Sequence, residues 1–393
     1  MNLGVFETLG IGVLALLLGR YLNGKIAFFR EICIPDPVTG GFVISLLALI
    51  IHHFGVLDIV FDNTLKDICM LLFFTTAGFQ CDFKVLKYGG RALVIIVLLL
   101  IVLIVFQNLT GVGLSKLMGL NPLLGLAAGS ITMTGGHGTA GGFSALLESM
   151  GLAGAAPITM AAATFGLISG SIMGGPLGKS LIAKYHLKCG ESSEDSLSVT
   201  DSDGGGGGNK RMAAVCAISL AAAGGSLLSR LIALAGITVP TYFGALIMAL
   251  IIRNISEGFK TLPKLPVSDI ISIGYICLTL FLGMALASLR LWELAELALP
   301  LMVILSAQVL LMYLFARFLA FPLMGKNYDA AVLTGGFCGF GLGATPNAMA
   351  NMNAISGKYG YSPLPFIVVP IVGAAFTDII NVSVISVFLN FLS

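Results

Sequence analysis

The chain has 393 residues, of which 57% are hydrophobic and only 10% charged, and its net charge is +2. Soluble globular domains carry roughly 25% charged residues, so this composition excludes a water-soluble surface. The small net charge implies neither a nucleic-acid nor an acidic partner, and the seven cysteines are scattered, with no metal-ligand spacing among them.

A helix rises about 1.5 Å per residue, so about 20 apolar residues cross a hydrocarbon core of about 30 Å. Stretches at 3–19, 38–54, 64–80, 92–118 and 157–183 predict five spans in the first half. Those at 212–235, 239–253, 268–288, 294–318 and 364–391 predict five in the second. The first stretch has no basic segment before it, and its first cation, Arg20, follows it. That polarity marks a span rather than a cleaved signal peptide. Between the halves, 184–211 carries Glu191, Glu194, Asp195, Asp201, Asp203 and the run Gly204 to Gly208, the composition of a flexible linker.

Cytoplasmic loops collect Lys and Arg. With the N-terminus outside, 17 of the 21 cations fall in inner segments, and only Lys66, Lys116, Arg230 and Arg290 in outer ones. Both termini are therefore expected outside, with the linker in the cytosol of a polytopic inner-membrane protein.

The two halves resemble each other. Gly119-Leu-Asn121 recurs as Gly325-Lys-Asn327, and at the same spacing of 206 residues Thr139 falls on Thr345. Pro35 to Gly40 has a looser echo in Val239 to Gly244. Five spans per half is an odd number, so the second copy enters the membrane from the opposite side, as in inverted-repeat transporters. The expectation is an all-α polytopic membrane protein of ten transmembrane helices in two inverted five-helix repeats, 1–183 and 212–393. Each repeat carries a glycine-rich re-entrant hairpin, at about 122–148 and about 328–354.

Those hairpins hold Ser130, Thr132, Thr134, Gly135, Gly136, His137, Gly138 and Thr139 in the first half. The second holds Asp329, Gly339, Gly341, Gly343, Thr345 and Asn347. Glycine clusters weaken a helix, and broken backbone at membrane depth survives only inside protein or facing a cavity. Exposed N–H groups at broken-helix starts attract anions, while unpaired carbonyls and hydroxyls suit a cation such as sodium. The alternative for each loop is a close helix crossing built on small residues.

Asp378 lies in the last span, where a carboxylate costs at least about 2.5–3.5 kcal/mol. It is read as a sodium ligand with Asn381, Thr134 and Gly339, or as the receiver of a substrate ammonium group. The substrate set is Ser130, Thr132, Gly135, Gly136, His137, Gly138, Thr139, Gly341, Gly343, Thr345, Asn347 and Asp329. Asp329 serves equally as helix-cap chemistry. Gln107, Asn108 and Gln308 are mid-helix amides of the kind that hydrogen-bond between helices. Asp36 before Pro37 reads as a helix N-cap.

The motifs Ile34-Pro-Asp-Pro-Val-Thr-Gly-Gly41, Ala128-Gly-Ser-Ile-Thr132, Gly135-Gly-His-Gly-Thr139, Gly325 to Val332 and Gly339 to Pro346 resemble those of the bacterial sodium/glutamate symporters. The likeness extends through Leu291 to Leu294, Val369 to Gly373 and Asp378, and departs only in the acidic polyglycine linker. It implies uptake of L-glutamate with sodium as coupling ion and no cofactor. It also implies a fold related to the 2-hydroxycarboxylate transporters and a homodimer with an elevator-like motion. The nearest competing reading is a sodium-coupled di- or tricarboxylate carrier. An intramembrane hydrolase lacks a motif: no HExxH occurs, and the histidines at 52, 53, 137 and 186 offer no helical pair at ligand spacing. A passive channel has no use for a broken-helix site.

Overall fold

The computed structural model describes residues 2–26, 34–55, 59–80, 90–189, 208–234, 240–258, 264–292 and 297–392. Among them the fold is helical, with no β-strand. The first half comprises α1 (Val5–Lys25), α2 (Asp36–His53), α3 (Thr64–Gln80), α4 (Gly90–Leu117), α5 (Pro122–Ala127), α6 (Gly136–Ser149) and α7 (Ala155–Tyr185). The second comprises α8 (Gly208–Leu234), α9 (Thr241–Gly258), α10 (Val267–Ala287) and α11 (Ala298–Phe315). It continues with α12 (Tyr328–Gly341), α13 (Thr345–Tyr359), α14 (Pro363–Ile371) and α15 (Thr377–Leu392). A π turn, Ala316–Ala320, prolongs α11 to Leu323, and another, Val372–Phe376, joins α14 to α15.

Helix occupies all ten apolar stretches, because in hydrocarbon every backbone N–H and C=O must be satisfied within the segment. Among the described residues seven helices are long and apolar enough to cross a membrane: α1, α2, α4, α7, α8, α10 and α11 with its extension. The other three fall short for visible reasons. α3 has 17 residues, α9 ends on the polar Arg253, Asn254 and Glu257, and the last is interrupted by Pro370 and the π turn. At the edges of the expected 184–211 linker, α7 runs to Tyr185 and α8 starts at Gly208. The linker's acidic polyglycine part, 190–207, lies outside the described residues, as do the start of the stretch at 239 and that at 294.

The motif repeat is repeated in backbone geometry. Gly119 and Gly325 both take positive φ, at 70° and 113°. The asparagine two residues on caps the next helix each time: Asn121 Oδ1 accepts the Leu123 N–H at 2.9 Å, and Asn327 Oδ1 the Ala330 N–H at 2.9 Å. The Asp36 expectation is corrected. Pro35 takes the cap position of α2, and the Asp36 carboxylate instead accepts from Asn23 Nδ2 on α1 at 2.8 Å.

The helices sort into two bundles. One contains the first three helices of each half, α1, α2 and α3 with α8, α9 and α10. The other contains α4 to α7 with α11 to α15. Within the first bundle, α1 crosses α2 where Gly19 meets Gly40, and α8 crosses α9 where Gly225 meets Gly244. In each crossing a Cβ would overlap the facing backbone, so the two helices are in main-chain contact. The bundles meet each other chiefly where α3 and α10 touch α6, and where α3 and α9 touch the π turn and α15.

Candidate functional site

Both glycine-rich segments contain a broken helix. In the first, α5 gives way to turns over 128–135 before α6 begins; in the second, 342–344 separates α12 from α13. The two breaks are tied together. Gln107, in the middle of α4, donates from Nε2 to the Gly341 carbonyl at 2.8 Å and accepts from Thr134 Oγ1 at 2.7 Å. Gln308 on α11 donates to the Gln107 carbonyl at 2.8 Å. Both amides are fully buried, and that of Gln107 satisfies the carbonyl left open at the end of α12, which otherwise costs about 1–3 kcal/mol. Gly136 has φ +57°, and a Cβ there would lie 2.8 Å from the Gly343 carbonyl oxygen, so the breaks touch through backbone.

Next to this contact lies a cavity of about 250 Å³. One wall is the second bundle: Gly136, His137 and Gly138 at the start of α6, Thr345 and Pro346 at the start of α13, and Asp378 at the start of α15. The other wall is the first bundle, with Phe73 of α3 and Leu278 and Leu282 of α10. Two helix N-termini therefore converge on one space. The Gly136, Asn347 and Ala348 N–H groups are already bonded to the Thr132 and Ala344 carbonyls, and Pro346 has none, so it is chiefly the positive dipole ends that favour an anion there. Asp378 lines the same space and makes no hydrogen bond or ion pair among the described residues. It follows a π turn whose Gly373 leaves room for the Thr345 side chain; such turns recur at functional sites.

Of the substrate set, Gly135, Gly136, His137, Gly138, Gly343 and Thr345 line the cavity. His137 pairs with Thr164 Oγ1 of α7 at 3.0 Å, not with a carboxylate. The remaining six lie behind that wall or away from it. Thr132 bonds to the Ala127 carbonyl at 2.8 Å, and Gly341 accepts from Gln107. Thr139 is buried, and Asn347 reaches across to the Leu167 carbonyl at 2.9 Å. Asp329 is elsewhere: its carboxylate accepts from Ser362 Oγ at 2.6 Å, closing α12 onto the start of α14.

The sodium set is divided. Asp378 and Thr134 face the cavity, whereas Gly339 is where α12 presses on α13, a Cβ there overlapping Ala348. Asn381 turns inward and donates to the Ser130 carbonyl at 2.9 Å, while the Ser130 N–H donates to Asn108 Oδ1 at 2.9 Å. Among the described residues Ser130 Oγ and Asn381 Oδ1 are buried without a partner. The cavity residues missed from sequence, Phe73, Leu167, Leu278, Leu282 and Gly373, are apolar or small and carry no local signal. Thr377 is adjacent to Asp378 and was within reach.

A multi-span helical membrane protein with a cavity at the joint between two bundles has the form of a membrane transporter. The family model for the sodium/glutamate symporters matches residues 1–361, and the chain belongs to that family, which consists of transporters and not enzymes. The sodium/glutamate symporter of Escherichia coli (strain K12) is 40% identical over 395 residues, covering 99% of this chain and 98% of that one. That of Haemophilus influenzae is 38% identical over 391 residues, covering 97% and 96%. A solved structure of the sodium proton antiporter MjNhaP1 from Methanocaldococcus jannaschii aligns with a TM-score of 0.41 and 15% identity, over 99% of this chain and 98% of that one.

Proposed function

We propose that the chain is a symporter in the bacterial inner membrane that couples sodium entry to uptake of L-glutamate. The relatives named for that activity support it at 38–40% identity. The observation that carries it to particular residues is the cavity in which two helix N-termini face a lone carboxylate. The substrate carboxylates lie at the N–H groups that open α6 and α13, beside Thr345 and His137. Its ammonium group faces Asp378. A carrier of simple carboxylates would have less use for that acid. Sodium takes oxygens, and the buried, unpartnered Ser130 Oγ and Asn381 Oδ1 are suited to it. Asp378, three residues before Asn381, is the counter-charge that makes loading of the two ligands interdependent.

The bundles act as frame and carrier. The first three helices of each half form the frame, and the remainder, holding both hairpins, moves as one body across it. The ten-span inverted repeat, both termini outside, the cytoplasmic linker and the homodimer complete this reading. The matched glycine crossings and matched asparagine caps support the two-fold relation of the halves. Binding of labelled glutamate to the purified protein tests it. Binding should strengthen as sodium is raised and should resist citrate and malate. Displacement by those acids in preference to glutamate would assign the cavity to a di- or tricarboxylate carrier.

A further inference from the structure

A second cavity, of about 410 Å³, lies further along the same joint. It holds two cations, Lys66 and Arg290, and two acids, Asp67 and Glu148. Charges are scarce here, at 10% of residues, and these two cations are half of the four that the charge distribution puts on the outer side. Their positions are organised. Lys66 Nζ donates to Asn63 Oδ1 at 2.8 Å and stands 4.0 Å from Asp67. Glu148 Oε1 accepts the Ala156 N–H at 3.3 Å, at the start of α7.

The two cavities are in line. Gly138 of α6 faces the first, and Gly141, Ser144 and Glu148, on the same helical face, line the second. On α10, Leu278 and Leu282 line the first, Phe281 and Ala285 the second. The Phe281 ring is seated on Gly141 so closely that a Cβ there would overlap it, with Met160 beside it. Along α6 this ring stands between Gly138 of the first cavity and Ser144 of the second, the charged vestibule.

We propose that the vestibule is a capture site, where an acidic amino acid docks from the external side before passing Phe281. Lys66 and Arg290 take its two carboxylates, and Asp67 and Glu148 its ammonium group. With two cations and two acids the vestibule has no net charge, so it holds an amino acid by placing each sign opposite its counterpart rather than by a net field. The inference rests on the symport reading and orientation above, and adds a site that reading does not need.

Its test is the side-dependence of kinetics. Lys66→Gln and Arg290→Gln should each raise the KM for external glutamate about tenfold, the size of one charged hydrogen bond, with the maximal rate within about twofold. The KM measured from the cytoplasmic face, in inverted vesicles, should not move. Lys66→Arg and Arg290→Lys should restore most of the external affinity. On the unaltered protein, choline chloride raised from about 0.1 M to about 1 M shortens the Debye length from about 10 Å to about 3 Å. It should raise the external KM more than the internal one, which answers the question should the Gln variants fail to insert. Unchanged external KM values, or equal changes on both faces, would overturn the capture site while leaving the symport reading intact. Absence of glutamate uptake by the unaltered protein would instead remove the symport reading, and the vestibule's ligand with it.

Discussion

Gly136→Ala isolates the contact on which the site is built. The residue has φ +57°, a conformation that costs an L-residue with a Cβ roughly 1–2 kcal/mol. The new Cβ would lie 2.8 Å from the Gly343 carbonyl oxygen, and backbone has no flexible end to swing away. One of the two breaks must yield, which displaces the N–H groups that open α6 or α13. If only the fraction of molecules with both breaks in register binds, apparent affinity falls by that fraction. A cost of about 1–2 kcal/mol then predicts a loss of about 5- to 30-fold. Gly341→Ala is the comparison: its Cβ would meet Leu103 Cδ2 at 2.9 Å and Met312 Cε at 3.2 Å, both ends of flexible side chains. Its loss should stay below about threefold, since such contacts relax. The assay is sodium-dependent glutamate binding to the purified variants, with inserted protein quantified first. Unaltered affinity in Gly136→Ala, or equal losses in the two, would refute the reasoning.

Asp378→Asn keeps the volume and removes the charge from the cavity, so glutamate affinity should fall at least about tenfold and apparent sodium affinity less. The reverse ranking in a two-ligand titration would give Asp378 to sodium. Gly225→Val would drive a side chain into the Ala245 backbone and should lower thermal stability by about 1–3 kcal/mol. Gly10→Ala, with nothing within 4 Å, should leave it unchanged, and equal melting of the two would contradict the crossing. Protease added to right-side-out vesicles should spare the 190–207 linker and should cut it in inverted ones. Cutting in the right-side-out preparation would reverse the orientation.

The helices were legible because lipid leaves the backbone few choices: an apolar run of sufficient length becomes a helix. The breaks were legible because Asn121 and Asn327 are good caps and the glycines after them are poor helix formers. Which glycine does what was not. Gly136 and Gly339 lie in similar runs, yet one joins the two breaks and the other packs α12 on α13. That difference depends on what faces each from far away in sequence. The same holds for Gln107 with Gly341, and for Asn381 with Ser130, separated by 234 and 251 residues. Asp329 and Asp378 were both candidate site acids, but Ser362 satisfies the first, and among the described residues none hydrogen-bonds the second. The charged vestibule had no signature at all, since its residues come from α3, α6 and the segment after α10.

Transport by the purified protein in liposomes tests the central claim most directly. With sodium outside and potassium inside, labelled glutamate should accumulate above its external concentration, and collapsing the sodium gradient should release it. Uptake that only equilibrates glutamate, at a rate indifferent to sodium, would contradict the account.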